Sequence, residues 1–185
     1  MDESSIKILL IEDNLAQARL LKEILKSVTF KQFDLFHVKR LKEGLNRLQK
    51  DSFDVILLDL TLPDSQGLAS LTSIINCAPS LPIVVLTNTN DDRLAIEAVR
   101  QGAQDYLVKR DVKGEMLVRS LCYAIERKQV SESLRQMNQA LENRVRERTA
   151  ELVKATELNQ MKSEFVSMIS HDFRNPLNVI LAYTG

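Results

Sequence analysis

The sequence predicts an α/β domain with a doubly wound, five-stranded parallel sheet, continued by a long α-helical coiled coil. Three observations predict it. Short apolar, β-branched runs are bounded by polar residues, segments of helical period lie between them, and no Gly or Pro occurs from Lys128 to Asn175. Continuous apolar runs suit strands buried on both faces, as parallel sheets are.

Ile6 to Ile11 is such a run, broken only by Lys7 and ending at Glu12-Asp13. Residues 14 to 27 carry Leu15, Ala18, Leu21, Ile24, Leu25 and Val28 at helical spacing, and Phe33 to Val38 returns to a strand, completing a β-α-β unit. The pattern then repeats: a helix near 40–50, a strand at Asp54 to Leu58, a helix near 66–77, and a strand at Ile83 to Leu86. A last round gives a helix near 92–101, a short strand at Gln104 to Val108 and a helix beginning near Lys113. Sheets of this kind place function at the carboxyl ends of their strands.

Beyond Arg127, Val130, Leu134, Met137 and Leu141 step by 4, 3 and 4, the alternation of a coiled-coil seam. Val145 follows by 4 again and Leu152 by 7, so the seam carries a stutter, with Arg148 where an apolar knob would sit. A helix from Lys113 to about Asn175 spans roughly 90 Å at ~1.5 Å per residue, and its apolar stripe needs a partner. A parallel homodimer through residues 128–175 is the simplest one.

Composition excludes several classes. The chain has 185 residues, 44% hydrophobic and 27% charged, enough to fold without metals or disulfides. Its 25 basic and 25 acidic residues divide evenly along the chain, so neither half is a basic arm for nucleic acid. No apolar run approaches ~18 residues, so no membrane span is expected in this segment, and the acidic N-terminus is unlike a signal peptide. Cys77 and Cys122, without C-x-x-C spacing, are expected to be buried reduced thiols of a cytoplasmic protein.

Glu12 and Asp13 close the first strand, Asp59 the third and Thr87 the fourth, while Tyr106 and Lys109 lie at the end of the fifth. One rim therefore gathers three carboxylates, a hydroxyl and an ammonium. Unpaired acids so close repel one another, and a divalent cation is their natural neutraliser. These residues, with Asp59 in Asp-Leu-Thr-Leu-Pro-Asp-Ser-Gln-Gly-Leu, resemble response-regulator receiver domains, a flavodoxin-like fold, over essentially all of residues 5–127, which implies a receiver domain at 1–127.

The resemblance implies that Asp59 is the phosphoacceptor and that Mg²⁺ is held by Glu12, Asp13, Asp59 and the backbone carbonyl of Thr61. It implies that Lys109 and Thr87 balance charge on the phosphoryl oxygens, and that Thr87 and Tyr106 form the conformational switch. Two residues depart from the family pattern: Arg110 stands where proline commonly follows the lysine, and Asn88 where a smaller residue often follows Thr87. A haloacid-dehalogenase-like phosphatase needs Asp-x-Asp, and here the second position is Thr61. No Gly-rich phosphate loop is present.

Near the C-terminus, His171-Asp-Phe-Arg-Asn-Pro-Leu resembles the phosphoacceptor box of dimeric sensor histidine kinases over residues 161–185. That resemblance makes His171 a second phosphoacceptor, Asp172 the group that orients its ring and accepts its proton, and Asn175 a polar residue that positions water for dephosphorylating a partner. Residues 128–160 resemble a signalling-helix linker, in which a stutter lets an upstream state bias a downstream one.

The expected whole is the N-terminal fragment of a hybrid kinase, with a receiver as its input. It lacks an ATP-binding domain, so no autokinase activity is expected of this chain alone. Asp59 would be charged by an upstream histidine kinase or small phosphodonor and His171 would serve a downstream response regulator. Direct transfer between the two is not expected, since the 44 residues from Arg127 to His171 span roughly 66 Å as a straight helix. The alternative is a non-enzymatic switch in which phospho-Asp59 controls dimerisation or partner recruitment and His171 is idle.

Overall fold

The structure, a computed structural model, describes residues 5–88 and 92–183, with side chains for 5–88 and 93–169. By its contacts the chain divides into two compact units, Met1–Ser133 and Leu134–Gly185.

In the first unit the strands β1 (Ile6–Ile11), β2 (Phe33–Val38), β3 (Val55–Asp59), β6 (Ile83–Thr87) and β7 (Asp105–Val108) form one parallel sheet in the order β2-β1-β3-β6-β7. The order reverses at β1, the point where an open α/β sheet leaves a crevice at its strand ends. Helices α1 (Leu15–Lys26), α2 (Leu41–Leu48), α3 (Leu68–Cys77), α4 (Asp92–Arg100) and the start of α5 (Gly114–Tyr183) connect and follow the strands.

Alternate strand residues feed two cores. Ile8, Leu10, Val55, Leu57, Val84 and Leu86 pack with Leu21 of α1 and Leu117 and Leu121 of α5. Leu9, Ile11, Ile56, Leu58 and Val85 pack with Leu41 of α2, Leu71 and Ile74 of α3, and Ala98 of α4. Burial on both faces is why β1, β3 and β6 are apolar without alternation. A Cβ at Gly44 in α2 would meet Ile11 Cδ1 at 2.5 Å, so a larger residue there requires the isoleucine side chain to shift.

Two small elements interrupt the predicted pattern. Between β3 and α3, β4 (Thr61–Leu62) and β5 (Ser65–Gln66) form an antiparallel hairpin, so α3 starts at Leu68 rather than near 66. Gly67 leads into α3 with φ 62°, a left-handed backbone that favours glycine, and its N–H donates to the Leu60 carbonyl at 2.7 Å. After β7, Lys109–Asp111 form a 3₁₀ turn.

The cysteine expectation needs correction: both thiols are free, but Cys77 is exposed and Cys122 half-buried. Cys77 is the last residue of α3, and the helix's buried stripe of Ser70, Leu71 and Ile74 ends a turn earlier.

The seam residues, Val130 at the end of the first unit and the others in the second, lie on continuous helix. From Val130 to Leu152 the predicted seam positions are 58–70% exposed in the single chain. Arg148 donates to Glu151 on the same helix at 3.0 Å. The backbone remains helical through His171, Asp172, Asn175 and Pro176, whose side chains lie outside the described residues. Among the described residues no helix is long and apolar enough to cross a membrane.

Candidate functional site

Register brings the site together. Ile11 of β1 pairs with Leu58 of β3, and Asp59 pairs with Leu86 of β6, so the residues just beyond these positions emerge side by side on one rim. Glu12, Asp13 and Asp59 each present a carboxylate oxygen within 4.8 Å of the others. Glu12 and Asp59 are buried while Asp13 is exposed, so the cluster has a wet side open to a ligand and a dry side closed by protein.

Lys109 lies at the dry side. Its Nζ is 2.8 Å from Asp59 Oδ2 and 2.6 Å from Glu12 Oε2. Glu12 Oε2 is thus in an ion pair without a well-aligned hydrogen bond. One ammonium thus faces two buried carboxylates, a local excess of negative charge. Burial pushes the Glu12 carboxyl above the usual range, with Asp59 adding to the rise; Lys109 and the Asn14 N–H oppose it.

The flanking loops hold these groups in place. The Asn14 side chain caps α1 by accepting from the N–H groups of Ala16 and Gln17 at 2.9 and 3.2 Å, and the Asn14 N–H donates to Glu12 Oε1 at 3.1 Å. The Thr61 N–H donates to Asp59 Oδ1 at 3.0 Å, so the start of the hairpin fixes the aspartate it follows. Thr87, the last residue of β6, is buried, and Tyr106 in β7 is half-buried against the α2–α4 core. Among the described residues no peptide is cis, the Lys109–Arg110 bond included.

Three polar contacts here escaped sequence reasoning. Asp64 takes over the capping of α2, whose own N-cap residue, Arg40, makes no side-chain cap bond. The Leu41 N–H donates to Asp64 Oδ1 at 2.9 Å and the Lys42 N–H to Oδ2 at 3.0 Å. Against a burial penalty, these two donors hold the Asp64 carboxyl below the usual range. His37 Nε2 meets the Glu12 carbonyl at 2.7 Å. A strand-end Asp-Ser-Gln-Gly turn hints at Asp64 as a capping residue, but nothing in the sequence says which helix it caps.

The rim therefore holds buried acids, one lysine and an open acidic edge at the ends of β1, β3, β6 and β7. Residues 8–120 match the response regulator receiver domain model. The chain belongs to the response regulator receiver family. Residues 161–185 match the His Kinase A (phospho-acceptor) domain model. The receiver is thus followed, along the long helix, by a phospho-acceptor segment.

Relatives of the receiver include the swarming motility regulation protein RssB of Serratia marcescens, 32% identical over 62% of this chain and 51% of that protein. The transcriptional regulatory protein KdpE of Staphylococcus aureus is 37% identical over 56% of this chain and 43% of that protein. The chain spans about half, or less, of the length of the curated relatives it matches. Among solved structures, a response regulator receiver domain protein of Clostridium thermocellum is 28% identical, with TM-score 0.59 over 68% of this chain and 98% of that one. A CheY-like receiver domain protein of Methanospirillum hungatei, 21% identical, has TM-score 0.60 over 69% of this chain and 99% of that one. Receiver and phospho-acceptor domains together mark a two-component signalling protein.

Proposed function

We propose that the receiver is phosphorylated on Asp59 with Mg²⁺ bound beside it, and that its state controls a dimeric phospho-acceptor segment carrying His171. The observation that carries the reading is the convergence of Glu12, Asp13, Asp59 and Lys109: more buried negative charge than one lysine neutralises, open to solvent on the Asp13 side. An oxygen-only donor set with a wet edge fits a hard cation that keeps some of its water. Glu12, Asp13, Asp59 and the Thr61 carbonyl would hold it. Bound there, Mg²⁺ would neutralise charge developing on phosphoryl oxygens.

The chain's own groups then divide the work. Asp59 Oδ2 attacks phosphorus in line, forming a new O–P bond as the bond to the donor's nitrogen or oxygen breaks. The departing group leaves with that bond's electron pair, an imidazole nitrogen taking a proton from solvent and a carboxylate leaving as the anion. Lys109 turns from the Glu12 and Asp59 carboxylates to the incoming phosphoryl oxygens, and the Thr87 hydroxyl donates to another of them. Tyr106 occupies the space Thr87 leaves, which carries the change to the surface of α4, β7 and α5.

Downstream, neutral His171 receives a phosphoryl group from a nucleotide-binding kinase domain, with Asp172 taking the imidazole proton, and passes it to a response regulator. Asn175 positions water for the reverse, dephosphorylating direction. Residues 128–160 couple the two as a parallel coiled coil in a cytoplasmic dimer; the uncovered apolar seam supports this part of the reading.

The test supplies the ATP-binding domain of a related histidine kinase to the full chain, with and without prior acetyl phosphate and Mg²⁺. Acid-labile label on His171 that depends on Asp59, and is lost in His171→Gln, is expected. A dimeric chain that takes phosphate on Asp59 but leaves His171 unlabelled would replace this reading with that of a switch for dimerisation or partner recruitment.

A further inference from the structure

The Glu12–Asp13 peptide is held by a side chain that belongs to neither the acid cluster nor its loop. β1 and β2 run in parallel register from Ile6↔Phe33 to Ile11↔Val38, and the Glu12 N–H donates to the Val38 carbonyl at 3.0 Å. There β2 ends, so no strand residue continues the ladder to the Glu12 carbonyl. The imidazole of His37 stands in for it, with Nε2 at 2.7 Å from that oxygen. A carbonyl only accepts, so Nε2 carries the hydrogen. The side chain extends the ladder by one bond past the end of the strand.

That bond falls on the peptide linking two of the three clustered acids. With its N–H on Val38, its carbonyl on His37 and Oε1 on the Asn14 N–H, Glu12 is hydrogen-bonded at three of its polar groups, and Oε2 is ion-paired with Lys109. Asp13, by contrast, is exposed. Its placement depends on the peptide plane before it and on the Asn14 cap after it. A rotation of that plane would carry the Asp13 carboxylate away from Glu12 and Asp59, whose oxygens now lie within 4.8 Å of it.

We propose that His37 is a positioning residue for the acid cluster: its Nε2–H fixes the Glu12–Asp13 peptide and thereby aims the Asp13 carboxylate at the cation. The inference rests on the proposed Mg²⁺ site. Half-buried on the edge strand, His37 touches neither cation nor phosphoryl group and acts through the main chain alone. Partners of this kind, one bond removed from a metal ligand, typically change metal affinity by ~10–100-fold when lost.

Three variants of the full chain separate this role from stitching β2 to β1. Gln places its amide nitrogen three bonds from Cβ, as imidazole does Nε2, and can donate to the same carbonyl. Asn is polar but one bond shorter, and Leu donates nothing. Mg²⁺ binding is measured by calorimetry, and thermal unfolding is measured in the absence of divalent cations. His37→Asn and His37→Leu are expected to weaken Mg²⁺ binding on the order of tenfold, and His37→Gln to stay within about threefold of the native chain. If Leu prevents folding, the contrast between Asn and Gln decides. Equal Mg²⁺ affinity in all variants, with only the unfolding temperature lowered, would overturn the proposal, as would equal weakening by Asn and Gln. A native chain that binds no Mg²⁺ would instead overturn the proposed cation site on which this rests.

Discussion

The receiver and the helix that leaves it put leucine, isoleucine and valine to opposite ends. In Met1–Ser133 those side chains meet across short strands and close two cores, so Ile8, Leu57, Leu58 and Leu86 are fully buried. Among the described side chains from Leu134 to Ile169 they line a helix that, within one chain, leaves them exposed. The first region closes its own cores; the second leaves an apolar stripe exposed, which a second chain covers in the proposed dimer. The difference teaches where a signal can be stored. A packed sheet resists small rearrangement, whereas the proposed coiled-coil seam, with a stutter and Arg148 in a knob position, would have alternatives of similar energy.

The sharpest way to break this contrast is to remove the same side chain from each region. Leu57→Ala, in the sheet, should cost about 2–5 kcal/mol of receiver stability by denaturant unfolding. Leu141→Ala, in the seam, should leave receiver unfolding unchanged and weaken self-association by about 1–3 kcal/mol, as read by sedimentation equilibrium. Receiver destabilisation by Leu141→Ala would mean the seam residue is not waiting for a second chain. Arg148→Leu sharpens the same point in the other direction: it should tighten association by about 1 kcal/mol while reducing the response of the dimer to Asp59 phosphorylation.

Smaller effects test how the receiver's rim is held. Asp64→Asn keeps one acceptor for α2 but loses the charge, and should cost about 1 kcal/mol or less at neutral pH. Because Asp64 ionises more readily in the folded chain, its contribution is complete above the usual aspartate range and fades as pH falls through the depressed value. The Asn variant should therefore match the parent at low pH and differ above it. Glu12 has the opposite sign. Burial raises its folded value, so without divalent cation the receiver loses stability as pH rises from the usual glutamate range to the raised one. Glu12→Gln should remove that decline in a pH series of melting temperatures.

Much of this was legible in the residues. β1 and β2 appear at the predicted bounds because a run such as Ile-Lys-Ile-Leu-Leu-Ile has few alternatives once both faces are buried. Glu12, Asp13, Asp59, Thr87 and Lys109 could be assigned to one rim because parallel strands all end on the same side. What stayed hidden follows from length and distance. The strands β4 and β5 have two residues each, too few to carry a period, and the 3₁₀ turn at Lys109–Asp111 has three. Asp64 and His37 act on partners 22–25 positions away, chosen by how loops meet after folding rather than by local sequence. Cys77 was misjudged because helical spacing marks a face but not where that face runs out.

The proposed signalling begins with a bond between phosphorus and the Asp59 carboxylate. Crystals of the full chain grown with beryllofluoride and Mg²⁺ test this directly, since the fluoride mimics a phosphoryl group on a carboxylate. Beryllium bonded to Asp59 Oδ2, with Lys109 Nζ and the Thr87 hydroxyl on its fluorines and a cation between Glu12, Asp13 and the Thr61 carbonyl, is the predicted result. An unmodified Asp59 still paired with Lys109 at saturating reagent would contradict it.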